Sequence, residues 1–240
     1  MFEGKSIILT GATGGIGLAI AKCLAAQGAK IKAMGRNAGV LAELAGTIGA
    51  ETAVVDMHDI ASCRTATRAL LPADYLVNCA GTTELEPFLD MDFDNFDMMH
   101  AVNTRAPLVV AQEYAHSIVE RGVTGSIVNV SSVSSFTGFA DHTAYCASKG
   151  AMDAASRVLA NELGRKGIRV NCVNPFVTLT PMAVKAWSDP AKADPMKQRV
   201  PLNRFVEPEE VANAVMFLLG DGAAMINGIS MPVDGGFGIN

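Results

Sequence analysis

Tyr145 and Lys149 stand four residues apart in Tyr145-Cys146-Ala147-Ser148-Lys149. That spacing places two side chains on one helix face, about 5–6 Å apart at Cβ. An ammonium beside a phenol favours the phenolate. Moving a tyrosine from ~10 to ~7 takes about 4 kcal/mol, and a unit charge at about 4 Å in an effective dielectric of ~20 supplies that much. The pair can therefore serve as a general acid or base near neutral pH. A plain Tyr/Lys pair on a helix surface accounts for the spacing too, so its neighbours decide. Upstream, Ser132 follows the apolar run Ile127–Val130, where a hydroxyl can polarise a carbonyl or hold an alcohol.

A second chemical signal opens the chain. Thr10-Gly11-Ala12-Thr13-Gly14-Gly15-Ile16-Gly17 joins an apolar strand to a helix. Glycines allow a tight turn and bring backbone N–H groups near a diphosphate, and the helix N-terminus favours the anion. Gly11, Thr13, Gly15, Ile16 and Gly17 are the candidates for that contact, although a tight strand-to-helix turn alone needs glycine as well. The end of the second strand, Ala33-Met34-Gly35-Arg36-Asn37, carries an arginine and no carboxylate. A carboxylate there would favour NAD, whereas Arg36 suits the 2′-phosphate of NADP and leaves NAD as the second choice. Asp56, past the third strand, is placed either to meet an adenine edge or to close a turn.

These residues need a scaffold that gathers them. Short β-branched runs at Ser6–Thr10, Ile31–Met34, Thr52–Val55, Leu76–Asn78, Ile127–Val130, Arg169–Val173 and Ile229–Val233 read as buried strands. Helical patterns alternate with them at Gly15–Gln27, Gly39–Ile48, Ile60–Leu71, Asn95–Arg121 (broken near Asn103 to Pro107), Thr143–Arg165 and Pro208–Leu219. Gly28, Gly122 and Gly220 stand where helix C-caps belong, and Pro208 suits a first helical position. Alternation of this kind predicts a mostly parallel, seven-stranded, doubly wound α/β sheet covered on both faces. The glycine turn, Asn78-Cys79-Ala80-Gly81, Ser132 and Asn174-Pro175-Phe176-Val177-Thr178 all fall at carboxyl ends of its strands, the edge where such sheets bind ligands.

Composition limits the remaining classes. The 240 residues are 50% hydrophobic and carry a net charge of −5. That excludes a disordered chain and argues against nonspecific nucleic-acid or polybasic membrane binding. No apolar stretch approaches the ~20 residues of a membrane span, and no secretory leader is evident. Cys23, Cys63, Cys79, Cys146 and Cys172 form no CxxC pair, so reduced thiols in the cytoplasm are expected and no metal site. His58, His100 and His116 have no ligand pattern. Asp90, Asp92, Asp94 and Asp97 interleave with phenylalanines and read as a solvated helix start. The methionines read as packing filler.

TGATGGIG, Asn78-Cys79-Ala80-Gly81, Ser132, Tyr145-x-x-x-Lys149 and Asn174-Pro175, in that order over nearly the whole chain, resemble the short-chain dehydrogenase/reductase family. The resemblance implies one Rossmann domain over residues 1–240 and a nicotinamide cofactor, with Asn78, Ala80, Gly81, Pro175, Val177 and Thr178 joining its site. It implies Tyr145 as proton donor or acceptor and Lys149 as the group that lowers its pKa and binds the nicotinamide ribose. Ser132 would position a carbonyl, and Asn103 would hold a water in a proton relay. A homotetramer is implied as well, in keeping with the two long, apolar-rich helices.

Within that family, Val173-Asn174-Pro175, Thr180, Met182, Trp187-Ser188-Asp189-Pro190, Pro201-Leu202 and Gly235-Gly236-Phe237 are most similar to the L-xylulose (dicarbonyl) reductases. Those use NADPH on ketoses and small dicarbonyls. Two departures stand out: Gly14 replaces a basic residue of those enzymes, and Phe176 stands where the wider family has glycine. Thr178 to Val206, with four prolines, is expected to form a substrate flap. Ser134, His142 and Trp187 are the substrate-side candidates; for the last two, a loop histidine and simple packing are the plain alternatives. A 3-oxoacyl-carrier-protein reductase is the nearest other enzyme, and it would need Arg105, Arg121 or Arg157 at the mouth to receive an acidic carrier. A noncatalytic, cofactor-binding redox sensor would have no use for the proton donor.

Overall fold

Ile7 and Leu9 face one side of a sheet and Ile8 the other, each side with its own apolar core. The structure, a computed structural model, describes residues 1–239. Its strands are β1 (Ser6–Thr10), β2 (Lys30–Gly35), β3 (Glu51–Val54), β4 (Tyr75–Asn78), β5 (Gly125–Val130), β6 (Ile168–Pro175) and β7 (Ser230–Val233). They pair in the order β3-β2-β1-β4-β5-β6-β7, and every pairing is parallel. The order reverses between β1 and β4, which opens a crevice at their carboxyl ends.

The helices are α1 (Gly15–Ala26), α2 (Ala38–Ile48), α3 (Ile60–Leu70), α4 (Phe93–His100), α5 (Ala106–Arg121), α6 (Thr143–Gly164), α7 (Pro181–Ala186), α8 (Pro190–Gln198) and α9 (Pro208–Leu219). Ile20 and Leu24 of α1 share one core with Val211, Val215 and Leu218 of α9. Cys63 of α3, Val110 and Tyr114 of α5 and Ala160 of α6 build the other. Side chains start several helices: Asn37 accepts from Val40 N–H, Asp59 from Ala61 N–H and Asp92 from Asp94 N–H. Asp92 therefore caps α4, and the aspartate-rich stretch is a helix start.

Several expectations need correction. β3 is an exposed edge strand, with Val54 at 62% exposure, because nothing pairs beyond it. β5 begins two residues early, at Gly125, where the hydroxyl of Tyr114 accepts from Ser126 N–H at 3.2 Å. β6 runs on to Pro175 because β7 pairs with it there. Gly28 and Gly122 take the left-handed conformation at helix ends (φ +87° and +62°), but Gly220 ends α9 in an extended one, φ −78°. The helix expected from Asn95 starts at Phe93, under the Asp92 cap, and is not broken. It widens into a π-turn at Ala101–Arg105, where Ala106 N–H reaches the carbonyl of Ala101. Pro107 lacks an N–H and would strain a regular helix interior; the wider turn puts it in the first turn of α5.

After β6 the chain leaves the sheet and returns to it. Thr178 and Val206 form an isolated parallel bridge. Leu179 N–H donates to Val206 O at 2.8 Å and Val206 N–H to Val177 O at 2.9 Å. Helices α7 and α8 lie between those ends, each with a proline in its first turn.

Candidate active site

The loops at the carboxyl edge of β1 and β4 hold each other. Thr10 Oγ1 accepts from both Cys79 N–H and Ala80 N–H, at 3.1 Å each. Gly11 has φ +69°, and a Cβ there would stand 2.6 Å from Ala80 N, so only glycine fits the approach. Gly17 is equally obligatory, since a Cβ would overlap the Gly11 carbonyl. Helix α1 opens on Gly14 with no side-chain cap, which leaves its first-turn amides to an outside anion. This cradle suits the diphosphate of a dinucleotide. A cleft of about 290 Å³ runs beside it, lined by Gly11, Thr13, Arg36, Asp56, Ala80 and Gly81 among others. A roomier cavity, about 970 Å³ along α4 and α5, is lined by none of Asn103, Ser132, Tyr145 and Lys149.

The remaining nucleotide candidates fall outside the lining of that cleft. Ile16 packs against the α1 core. Asn78 is buried and donates to Asn129 Oδ1 at 2.9 Å and to Pro107 O at 3.2 Å, so it braces β4 against β5 and the first turn of α5. Pro175 is buried, Val177 accepts at the bridge, and Thr178 donates its hydroxyl to Phe176 O at 2.9 Å. Asp56 lines the cleft and also accepts from His58 N–H, so both of its readings are present. Thr10 escaped notice although it ends β1 in register with Asn78. Cys79 also lines the cleft; burial pushes its thiol up to about 12, which keeps it protonated.

Ser132, Tyr145 and Lys149 come from the two elements that flank the next crevice. Ser132, two residues past β5, caps a short 3₁₀ turn, Val133–Ser135. Its Oγ accepts from Ser134 N–H and donates to Ser134 Oγ, both at 3.1 Å. Tyr145 and Lys149 lie one turn apart at the start of α6. Lys149 is buried; its ammonium donates to Val130 O at 3.0 Å and sits 5.7 Å from the centre of the Tyr145 ring. Gly81 ties this group to the cleft: a Cβ there would lie 3.5 Å from Lys149 Nζ and 3.3 Å from Asn103 Oδ1.

Asn103 sits in the π-turn with its amide fully engaged. Its oxygen accepts from Thr82 N–H at 2.8 Å, and its nitrogen donates to Thr82 O and Ser148 Oγ at 2.9 and 3.0 Å. The side chain thus fixes the Gly81–Thr82 loop against α6. His142 is half-buried, with Nδ1 2.5 Å from Ala140 O and its ring edge-on to Tyr145 at 6.5 Å. Trp187 packs on Phe205 at 5.2 Å, with Lys192 over its ring at 4.7 Å. Phe176 stacks on Phe237 at 4.3 Å and Phe237 on Phe139 at 5.8 Å, which explains a large ring at that position.

A doubly wound parallel sheet with a glycine cradle, a nucleotide cleft and a Ser–Tyr–Lys group on one edge defines a dinucleotide-dependent oxidoreductase. The chain belongs to the short-chain dehydrogenase/reductase family. A family model described as enoyl-(acyl carrier protein) reductase matches residues 11–238. L-xylulose reductase of Bos taurus is 45% identical over 98% of this chain and 96% of its own length. Carbonyl reductase [NADPH] 2 of Sus scrofa is 41% identical over 98% and 97%. A solved short chain dehydrogenase/reductase family protein superposes with a TM-score of 0.91 at 34% identity, covering 99% of each chain.

Proposed function

We propose that this protein is an NADPH-dependent reductase that interconverts the carbonyl and secondary alcohol of a small ketose or dicarbonyl. The observation that supports this is the approach of Gly81, in the lining of the nucleotide cleft, to both Asn103 and Lys149. NADPH, when bound, supplies the hydride. The glycine turn, from Gly11 through Thr13, Gly15, Ile16 and Gly17, takes the diphosphate on the N-terminus of α1. Arg36 takes the 2′-phosphate and Asp56 the adenine side. Asn78 acts at this site through the loop it braces; Ala80, Gly81, Pro175, Val177 and Thr178 flank the nicotinamide half.

Ser132 Oγ hydrogen-bonds the substrate oxygen, and Tyr145 delivers the proton to it in reduction and removes it in oxidation. Lys149 stabilises the phenolate and binds the nicotinamide ribose. Asn103 holds the loop on which these contacts depend and, from the π-turn, the water of a proton relay to Tyr145. Ser134 and His142 bind substrate hydroxyls, and Trp187 belongs to a flap spanning residues 178–206. The two carbonyl-reductase relatives support this substrate class. Of the arginines a carrier-protein substrate would need, Arg121 donates to Ala73 O beside the amino end of β4, away from the mouth. Arg105 donates to the carbonyl of His58, which lines the nucleotide cleft, so the acyl-thioester arm of the screen below separates the two readings. A redox sensor would have no use for Tyr145.

The same reading includes a homotetramer in the cytoplasm. A groove between α5 and α6, lined by Leu108, Val119, Leu159 and Leu163 together with Gln112, His116, Glu162 and Lys166, suits a second copy. All five cysteines are free, and no described helix is long and apolar enough to cross a membrane. The deciding experiment is a steady-state screen of ketoses, polyols, diketones and 3-oxoacyl thioesters with NADPH and NADH. Turnover of L-xylulose or a small diketone with NADPH is expected; turnover of acyl thioesters alone would overturn the substrate class.

A further inference from the structure

A carboxylate that plays no part in the chemistry above lies on the same face of α6. Asp153 follows Tyr145 and Lys149 by two turns and one, and it is 5% exposed. Its Oδ2 takes three hydrogen bonds from three separate elements. Ser135 Oγ donates from the 3₁₀ turn at 2.7 Å, Asn174 Nδ2 from β6 at 2.9 Å, and Ser230 Oγ from β7 at 3.0 Å. Among the described residues Asp153 forms no ion pair, and the buried Cys172 thiol of β6 is also within hydrogen-bond reach of its carboxylate. Burying a carboxylate against neutral donors alone is unfavourable unless each donor is well placed. An apolar residue at this position would leave three polar groups to find other partners.

The arrangement has a direct line to the reacting group. Asn174, fully buried, places the same Nδ2 3.0 Å from the carbonyl of Ser132 and 2.9 Å from Ser135 Oγ. Asp153 fixes Asn174, and Asn174 fixes the backbone of Ser132. We propose that Asp153 is a positioning residue that registers the Ser132 hydroxyl against Tyr145, by clamping Asn174 and Ser135 to the helix that carries Tyr145. The proposal rests on the reading of Ser132 and Tyr145 given above. Helix α6 then delivers the proton donor and, through Asp153, sets the distance to the group that holds the carbonyl. A displacement of this kind slows the chemical step while leaving the diphosphate and adenine contacts, which dominate NADPH affinity, alone, since none of the clamp residues lines the nucleotide cleft.

The test compares Asp153→Ala and Asp153→Asn with wild type and Tyr145→Phe, using L-xylulose and diacetyl as substrates with NADPH. Asp153→Ala is expected to lower kcat by about tenfold to a hundredfold, the scale of a misplaced reacting group. The Kd for NADPH stays within about twofold, and the deuterium isotope effect from NADPH labelled at the transferred hydrogen rises as chemistry becomes slower. Asp153→Asn keeps an acceptor at the Oδ2 position and restores most of the rate. Hydrogen exchange, which needs no turnover, is expected to quicken in peptides covering residues 131–136 and 172–175 and not in α1 or α3. Should Asp153→Ala fail to fold, Ser135→Ala removes one arm of the clamp and is read by the same measures.

A wild-type protein that reduces neither substrate overturns the reading of the reaction. Unchanged exchange in 131–136, or a kcat that stays within about twofold of wild type, overturns the clamp. A loss of NADPH binding in proportion to kcat would also overturn it, because the role would then be general stability.

Discussion

Gly15 and Thr180 meet across the edge of the sheet: a Cβ on Gly15 would stand 2.5 Å from the Cβ of Thr180. The glycine turn that follows β1 is thereby pressed against the segment that follows β6. Gly15→Ala is expected to wedge the two apart and weaken NADPH binding about tenfold, or ~1.4 kcal/mol. Alanine suits a helix better than glycine, so the melting temperature should barely move. Fluorescence titration beside a thermal melt checks both halves, and an unchanged Kd would detach this contact from the cofactor.

Tyr145→Phe removes the phenol and keeps the ring. Turnover should fall by at least about 10²-fold, the usual contribution of a positioned acid or base, with NADPH titrating as in wild type. A kcat close to that of wild type would end the assignment of the proton to Tyr145.

Arg36 is exposed at the end of β2, in the lining of the nucleotide cleft. Removing a charged hydrogen-bond donor of this kind loses about 1.5–3 kcal/mol toward its anionic partner. Arg36→Ala should therefore weaken NADPH by about tenfold or more and leave NADH nearly untouched. Equal losses for the two nucleotides would move the 2′-phosphate contact elsewhere.

Glu113 of α5 is 7% exposed and pairs with Arg64 and Arg68 of α3. The hydrogen bond from Arg68, joined by Arg64, holds its carboxyl below the ordinary value of 4.5 despite partial desolvation. A carboxyl depressed in the folded state stabilises the protein above its unfolded pKa, and that stability disappears as the pH falls through the folded pKa. Glu113→Gln is thus expected to lower the melting temperature at pH 7, by about 2–4 °C per kcal/mol for a chain of this size. Melts taken downward from pH 7 should show the gap between variant and wild type closing below the ordinary carboxylate range.

The groove between α5 and α6 exposes Val119 at 43%, and Val158 of α6 is exposed at 55%. Light scattering at micromolar concentration is expected to give a particle about four times the 25.1 kDa chain. Val119→Asp and Val158→Asp together should shift it toward smaller species, whereas a 25.1 kDa wild-type particle would remove the tetramer.

Strand-and-helix alternation and the glycine turn were legible because they rest on local pattern: α9 begins and ends where its proline and apolar period place it. The strands were legible for the same reason, β3 among them one residue out of place, but its exposure was not, since edge position depends on which strand pairs next. Asn103 illustrates the other limit. Its neighbour Pro107 signals a disturbed helix, but a π-turn rather than a break is selected by Asn103 and Thr104 bonding to Ser148, 45 and 44 residues away. Asn78 and Asp153 show the same thing. Each is a polar residue in an apolar run, and only the assembled sheet reveals whether its partner is a ligand or a neighbouring strand.

The bridge between Thr178 and Val206 pins both ends of the excursion that carries α7 and α8. What lies between those two residues is anchored to the sheet at its base, and Val200 and Phe205 root it further in the core that α1 and α9 share. On the proposed reading of this excursion as a substrate flap, grafting the matching stretch of another reductase is expected to change which carbonyl compound is reduced, provided Thr180, Val200 and Phe205 keep their packing. Substrate choice, on that reading, is carried by a segment sewn into the sheet at its base and into the core along its length.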